Sequence, residues 1–297
     1  MMQAKANAVP KKAKVRLDDL LVARSLCATL EEARRRIWAG EVIVEEELVD
    51  QAGARVSPEA SLRLRSRRGR YASRGGEKLE RALAGFSICV EGRVALDVGA
   101  AAGGFTDCLV AHGASRVYAV ELGRGQLASR LRLDPRVVDL SGRDVMALAP
   151  EELDPRPTLA TIDVTFRSLS EILPKVQTLL AGQWEMIALL KPLFEARLAG
   201  MGRPKEVQRR VFEWLLPRLR EQQAPVQEVL ACPLPGVGGA VEFLLHLRPP
   251  GRDEAGLGDR VELALQEARG MLSKRSKPAR SGLRRRKKWK QFTSLNQ

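Results

Sequence analysis

Histidine and cysteine are scarce in this 297-residue chain, which has only His112 and His246, and Cys27, Cys89, Cys108 and Cys232, with no C-x-x-C pair. So thin a supply excludes a cysteine–histidine zinc cluster and leaves nothing from which to build a nucleophile–histidine–acid triad. Four thiols this far apart are not a disulfide framework, and they suit a reducing, cytoplasmic setting in which each is a buried small hydrophobe. Both histidines are expected in apolar surroundings. No apolar run reaches the roughly 18 residues that a membrane span requires, and the stretch 240–247 is interrupted by Glu242 and His246. The opening MMQAKANAVPKKAK lacks the apolar segment of a secretory signal. Ligand spacing suggests no metal.

Hydrophobic residues make up 44% of the chain and charged residues 29%, which is ordinary globular usage. The length allows two modest domains at about 150 residues each, or one large one. The net charge is +14, from 50 Lys and Arg against 36 Asp and Glu. Its distribution is more informative than its size. Residues 1–16 hold five cations, residues 60–76 six, and residues 271–297 ten, all without an acid. Together these stretches take 21 of the 50 cations, leaving 29 against 36 acids elsewhere. An acidic body with concentrated basic patches implies a polyanionic partner, nucleic acid first among them.

Periodicity divides the chain. Residues 1–14 read as a basic disordered tail, and 15–72 as a small module with its linker. In that module Arg16–Arg24 has helical spacing, with Leu17, Leu20 and Leu21 on one face. A second helix runs through Glu31–Trp38, started by a Thr29/Glu32 capping box and stopped at Gly40. Short strands follow at Val42–Val44, Leu48–Val49 and Arg63–Arg65. Between 73 and 250, strands at 94–98, 116–121, 137–138, 159–163, 186–191 and 241–245 alternate with helices. That order implies a parallel, doubly wound α/β sheet. Residues 251–297 read as one weak helix, Arg260–Arg269, and a disordered basic tail.

The strand ending at Asp97 is followed by Gly99, Gly103 and Gly104 and then a helix beginning near Phe105. Such a turn lets backbone approach a ligand and aims free N–H groups at it. It lacks the G-x-G-x-x-G of a pyrophosphate loop, and a carboxylate at Asp97 suits an amino-bearing ligand. Glu121 ends the next strand 24 residues after Asp97, where a ribose hydroxyl would be bound. These features favour S-adenosylmethionine over a dinucleotide. Asp144, after the third strand, is a candidate adenine partner.

Two resemblances extend this reading. The pattern R-L-D-x-L-L-V followed by A-R-R-x-I-x-x-G-x-V-x-V, from Arg16 to Val44, resembles the small RNA-binding alpha-L motif of a small-subunit ribosomal protein and of pseudouridine synthases. That likeness implies a basic face formed by Arg34, Arg35 and Arg36, although Glu45-Glu46-Glu47 stands where the motif usually has an Asn-Gly turn. Further on, Ser73-Arg74-Gly75-Gly76-Glu77-Lys78-Leu79, Asp97-Val98-Gly99, Gly103–Leu109, Asp163-Val164-Thr165-Phe166-Arg167-Ser168-Leu169, Leu190-Lys191-Pro192-Leu193-Phe194-Glu195 and Val241-Glu242-Phe243-Leu244-Leu245 occur in order. This set is similar to the hemolysin-A (TlyA) family, in which an RNA-binding N-terminal domain precedes a Rossmann-like methyltransferase related to the FtsJ ribose methyltransferases.

The resemblance implies transfer of methyl from S-adenosylmethionine to a ribose 2′-hydroxyl, typically of cytidine, in ribosomal RNA or ribosomal subunits. It carries a Lys–Asp–Lys–Glu tetrad onto Lys78, Asp163, Lys191 and Glu242, with Lys191 as the proton acceptor. Desolvation and the neighbouring Lys78 cation would lower the Lys191 amine toward that task, Asp163 would hold the lysine or the cofactor amino group, and Glu242 would orient a lysine. Glu242 within an apolar strand segment demands a partner. Cofactor contacts are expected from Asp97, Gly99, Gly103, Phe105, Glu121, Asp144 and Asp163, and RNA contacts from Arg16, Arg34, Arg35, Arg36, Arg67, Arg68 and Arg74. The chain departs from the family at Ala101-Ala102, usually Ser-Thr, at Glu121, usually Asp, and in the loops 196–205 and 235–240. Two other readings compete: an RNA-binding protein whose methyltransferase fold has lost catalysis, and a membrane-active hemolysin.

Overall fold

The computed structural model describes residues 13–45, 47–64, 70–202, 206–236, 239–251 and 256–275. The expected terminal tails up to residue 12 and from residue 276 lie outside these, as do Arg67 and Arg68.

The N-terminal module is built from β1 (Val15–Arg16), α1 (Leu17–Ala23), α2 (Leu30–Trp38), β2 (Val42–Val44), β3 (Glu47–Leu48), β4 (Arg55–Val56) and β5 (Leu62–Leu64). Strand β2 lies between β3 and β5, antiparallel to both, and β1 pairs with β4. The Thr29 hydroxyl accepts from the Glu32 amide at 3.1 Å, and the Glu32 carboxylate accepts in return from Ala28, one residue before the cap. One of the N-terminal amides that α2 leaves without helical partners, that of Glu32, is thus satisfied, together with the Ala28 amide just ahead of the helix. Leu17, Leu21, Ile37, Val42 and Val44 close a small core of their own.

The larger unit begins with α3 (Gly75–Gly85) and β6 (Val94–Val98), and continues through α4 (Gly104–Ala111), β7 (Arg116–Glu121), α5 (Ser129–Arg132), β8 (Val137–Ser141), β9 (Leu159–Ile162), α6 (Leu169–Leu179) and β10 (Glu185–Leu190). It ends with α7 (Pro192–Leu198), α8 (Val207–Glu221), β11 (Val226–Ala231), β12 (Phe243–Leu247) and α9 (Leu257–Arg275). Seven strands form one sheet in the order β11-β12-β10-β9-β6-β7-β8. Every pairing from β10 to β8 is parallel, whereas β12 runs antiparallel to both its neighbours. The fold is therefore a mixed, mostly parallel doubly wound sheet.

Side chains alternate across it with the period of two that a strand imposes. On β10, Met186, Ala188 and Leu190 join a core with α6, α8 and α9, while Ile187 and Leu189 join a second core with α3 and α4. Both faces are covered, which accounts for the continuous apolar runs in the sequence.

Four expectations change. Strand β11 was not recognised, because V-Q-E-V-L-A presents polar residues at the sheet edge. The C-terminal helix is longer than Arg260–Arg269, and Val261, Ala264, Leu265 and Ala268 are buried in the main core. Cys27, Cys108 and Cys232 are buried as expected, but Cys89 is exposed. His246 is not in apolar surroundings: fully buried and stacked on Phe86, it lies 3.2 Å from Glu185 and 3.4 Å from Glu228, the latter on the unrecognised strand. Among the described residues no helix is long and apolar enough to cross a membrane.

Candidate active site

A cavity of about 650 Å³ opens where β6, β9 and β10 end, at the edge of the parallel sheet where such folds gather ligands. Its wall includes Lys78, Asp163, Lys191 and Glu242, so four residues spread over 165 positions of sequence meet in one place.

Each reaches the cavity by a different route. Asp163 follows β9, and Lys191 follows β10 at the start of α7. Lys78 lies in the first turns of α3, which docks closely on its surroundings through Gly76. A Cβ there would come within 2.3 Å of the Tyr71 ring, so a larger residue would push the helix and its lysine away. Glu242 stands just ahead of β12 rather than inside a strand, because the strand begins two residues later than the expected 241–245. Reversal of β12 is what brings the N-terminal end of a strand to this side of the sheet.

The two pairs have distinct environments. The Lys78 Nζ donates to Glu242 Oε2 at 2.5 Å, both side chains being almost fully buried. Burial pulls the Lys78 amine down, but the Asp163 and Glu242 carboxylates more than offset it and leave it above its ordinary value. Lys191 Nζ donates to Asp163 and, at 3.2 Å, to the Val164 carbonyl. Burial raises the Asp163 carboxyl, yet the Lys191 and Lys78 cations prevail and hold it below the usual range. Each lysine thus has its own carboxylate, Glu242 for Lys78 and Asp163 for Lys191.

The other expected cofactor residues divide. Gly99 and Glu121 line the cavity. Gly99 has φ of +86°, and a Cβ on it would lie 2.3 Å from the Asp163 carbonyl oxygen, so the loop is drawn against β9 in a way that only glycine permits. Glu121 accepts from the amides of Ala101 at 3.1 Å and Gly123 at 2.8 Å, bridging the two loops at the cavity mouth. Gly103 caps α4 beneath. Asp97 is not on the cavity wall: fully buried, it accepts from Thr106 at 2.6 Å and Thr161 at 3.0 Å, tying α4 to β9. Burial pushes its carboxyl up to about 6. Phe105 is also buried, packed beside Gly75. Asp144 lies outside the cavity wall, capping a 3₁₀ turn at Met146, 3.6 Å from Arg167.

Two motif residues acquire roles that the sequence did not disclose. Glu195 is buried, accepting from Ser168 Oγ at 2.7 Å and the Leu169 amide at 2.8 Å, which fixes the loop after Asp163 to α7. Asp107 accepts from the Ala72 amide at 2.5 Å and from Arg130, anchoring the linker between the two units. Both residues stand within the motifs quoted above, but the sequence names no partner for either.

Of the arginines expected to meet RNA, Arg16 and Arg34 both bind the buried Asp18, at 2.7 and 3.0 Å, and their hydrogen bonds, led by Arg16, hold its carboxyl down at about 2. Arg36 pairs with Glu32 at 2.9 Å. Arg74 lines the cavity 4.0 Å from Asp50. The Arg35 side chain has no hydrogen bond or ion pair among the described residues, and it faces a groove between α2 and α5.

Residues 71–249 match the model of the FtsJ-like methyltransferases. The chain is 39% identical over 249 residues to YqxC of Bacillus subtilis, named as an rRNA methyltransferase, covering 82% of this chain and 89% of that protein. It is 36% identical over 264 residues to the 16S/23S rRNA (cytidine-2′-O)-methyltransferase TlyA of Mycobacterium tuberculosis, covering 86% and 98%. A solved structure of a protein from Streptococcus thermophilus described as a hemolysin superposes with a TM-score of 0.65 at 34% identity, covering 88% and 99%.

Proposed function

The chain belongs to the FtsJ-like methyltransferase family, and from that premise we propose that it transfers a methyl group from S-adenosylmethionine to a ribose 2′-hydroxyl of ribosomal RNA. The observation that carries the reading is the meeting of Lys78, Asp163, Lys191 and Glu242 in one cavity with the Gly99 turn and Glu121. The residues present fit the cofactor: the turn is a cradle that a Cβ would fill, and Glu121 reaches the mouth where a ribose diol would sit.

Bound there, S-adenosylmethionine supplies an electrophilic methyl group. The chain must then place a weak nucleophile in line with it and take away a proton, and positioning contributes most of the rate. Lys191 is suited to the proton. Its amine donates toward Asp163 and the Val164 carbonyl, and a neutral amine has two N–H groups. A deprotonated amine with both N–H groups so engaged has its lone pair left for the proton of a hydroxyl in the cavity. Lys78 remains a fixed cation held by Glu242, which stabilises negative charge growing on the attacking oxygen. Cytidine as the target nucleoside is carried by the names of relatives such as the mycobacterial protein.

The test is labelled methyl transfer to unmodified small and large ribosomal subunits, with Lys191→Ala as the control. Lys191-dependent incorporation into RNA is the expected result. Cofactor binding without incorporation into either subunit or its free RNA would overturn the catalytic reading.

A further inference from the structure

The N-terminal module does more than sit beside the catalytic unit, because one of its side chains forms part of the cavity wall. Trp38, the last residue of α2, is 56% exposed and lines both the catalytic cavity and a shallow depression next to it. That depression shares Arg35, Ala39 and Ala102 with the groove between α2 and α5, so the three form one continuous path. An indole open at a wet surface offers a flat apolar face with a polar edge, suited to flat ligands.

The charge along the path selects the ligand. Arg35 lies one turn before Trp38 on the same helix face, and Arg130, half exposed, stands across the groove on α5. The path also holds Glu41 and Asp50, each beside an arginine, Arg36 at 3.7 Å and Arg74 at 4.0 Å. Arg74 in turn packs against Gly40, where a Cβ would lie 3.2 Å from its Nε, and so fixes the end of α2 to the helix that carries Lys78. A rigid aromatic face, flanked by cations and open to the catalytic cavity, fits single-stranded RNA.

We infer that Trp38 is the stacking platform for a nucleotide adjoining the methylated one, and that the strand leaves the cavity over Trp38 into the α2–α5 groove, with its phosphates at Arg35 and Arg130. This inference rests on the RNA-methyltransferase reading for its substrate. It makes the N-terminal module a positioning part of the active site, acting on RNA and not on the cofactor.

The experiment compares the wild-type chain with Trp38→Ala, Trp38→Phe and Arg35→Ala. It measures initial rates against unmodified ribosomal subunits and against S-adenosylmethionine, and equilibrium binding of the free ribosomal RNA without cofactor. Trp38→Ala should raise KM for RNA and its dissociation constant about tenfold, the scale of one lost stacking contact. Its kcat should stay within about twofold, KM for S-adenosylmethionine should not change, and Trp38→Phe should restore most of the loss. Arg35→Ala should lower the slope of log affinity against log salt by about 0.7, one single-strand phosphate contact. A rise in KM for S-adenosylmethionine with RNA affinity intact would overturn the inference by assigning Trp38 to the cofactor, and so would a Trp38→Ala enzyme indistinguishable from wild type. If neither the wild-type chain nor any variant transfers methyl but Trp38→Ala still loses RNA affinity, the platform stands and the catalytic reading falls.

Discussion

Replacing Glu242 by glutamine isolates the buried ion pair while preserving its shape. Gly236 lies so close to the Glu242 carboxylate that a Cβ would come within 2.1 Å of Oε1, so the pocket has room for an isostere and little more. Glutamine keeps an oxygen to accept from Lys78 but removes the charge that opposes its desolvation. Removing one partner of a buried pair costs about 3–5 kcal/mol. With Asp163 still nearby as a second anion, the low end applies, about 3 kcal/mol. For a domain of this size each kcal/mol shifts Tm by about 2–4 °C, so the expected drop is roughly 6–12 °C.

The pH of the measurement follows from the direction of the Lys78 shift. A raised lysine contributes stability that is fully present below its unfolded value of about 10.4 and is lost only as pH rises through the still higher folded value. Melts at pH 7 therefore see the whole effect. Lys78→Met combined with Glu242→Gln removes the stranded cation, and the double variant should recover at least half the lost stability while remaining inactive. A single variant melting within about 2 °C of wild type, or a double variant whose losses simply add, would refute the account of this pair as a coupled, desolvated unit.

Other consequences are equally open to measurement. Lys191→Ala should reduce methyl transfer at least a thousandfold while cofactor affinity, read by calorimetry, changes less than about threefold; near-normal turnover would remove Lys191 from the chemistry. Gly99→Ala places a methyl group against the Asp163 carbonyl at positive φ, and should abolish measurable cofactor binding and lower Tm by several degrees. Asp97 behaves in the opposite sense to a paired carboxylate. Its raised value of about 6 means that ionisation opposes folding, a penalty absent below about pH 4 and complete above about pH 6. Asp97→Asn should accordingly be more stable than wild type at pH 8, by up to about 3 kcal/mol, with the gap closing at pH 4; a gap independent of pH would show that Asp97 is not ionised at cost in the fold.

The sequence made the alternation of strands and helices legible because the sheet is covered on both faces, so its strands read as short apolar runs separated by turn residues. Position within those runs was also legible where a carboxylate or lysine ended them, as at Asp163, Lys191 and Glu121. What escaped was pairing. Nothing in V-Q-E-V-L-A marks it as the strand beside β12, and so the acid facing His246 was missed. Asp97 occupies a strand end in the sequence, but whether it faces ligand or core depends on Thr106 and Thr161, which only the fold brings to it. Likewise the basic face of α2 was visible as three consecutive arginines, whereas Asp18, which engages Arg34, comes from the other helix of the pair. Trp38 carried no motif at all, because its significance lies in what stands across the groove.

The reversed strand β12 has a consequence for the order in which this protein becomes competent. Glu242 enters the cavity only when β12 has been inserted between β10 and β11, 164 residues after the lysine it neutralises. During synthesis, Lys78, Asp163 and Lys191 are all made before the strand that completes their charge balance, and until it arrives the first of these lysines lacks its nearest counterion. Completing the charge balance of the candidate site thus requires β12, the last strand of the sheet in chain order, so a chain halted before it would hold the glycine turn and three of the four ionisable groups yet lack Glu242.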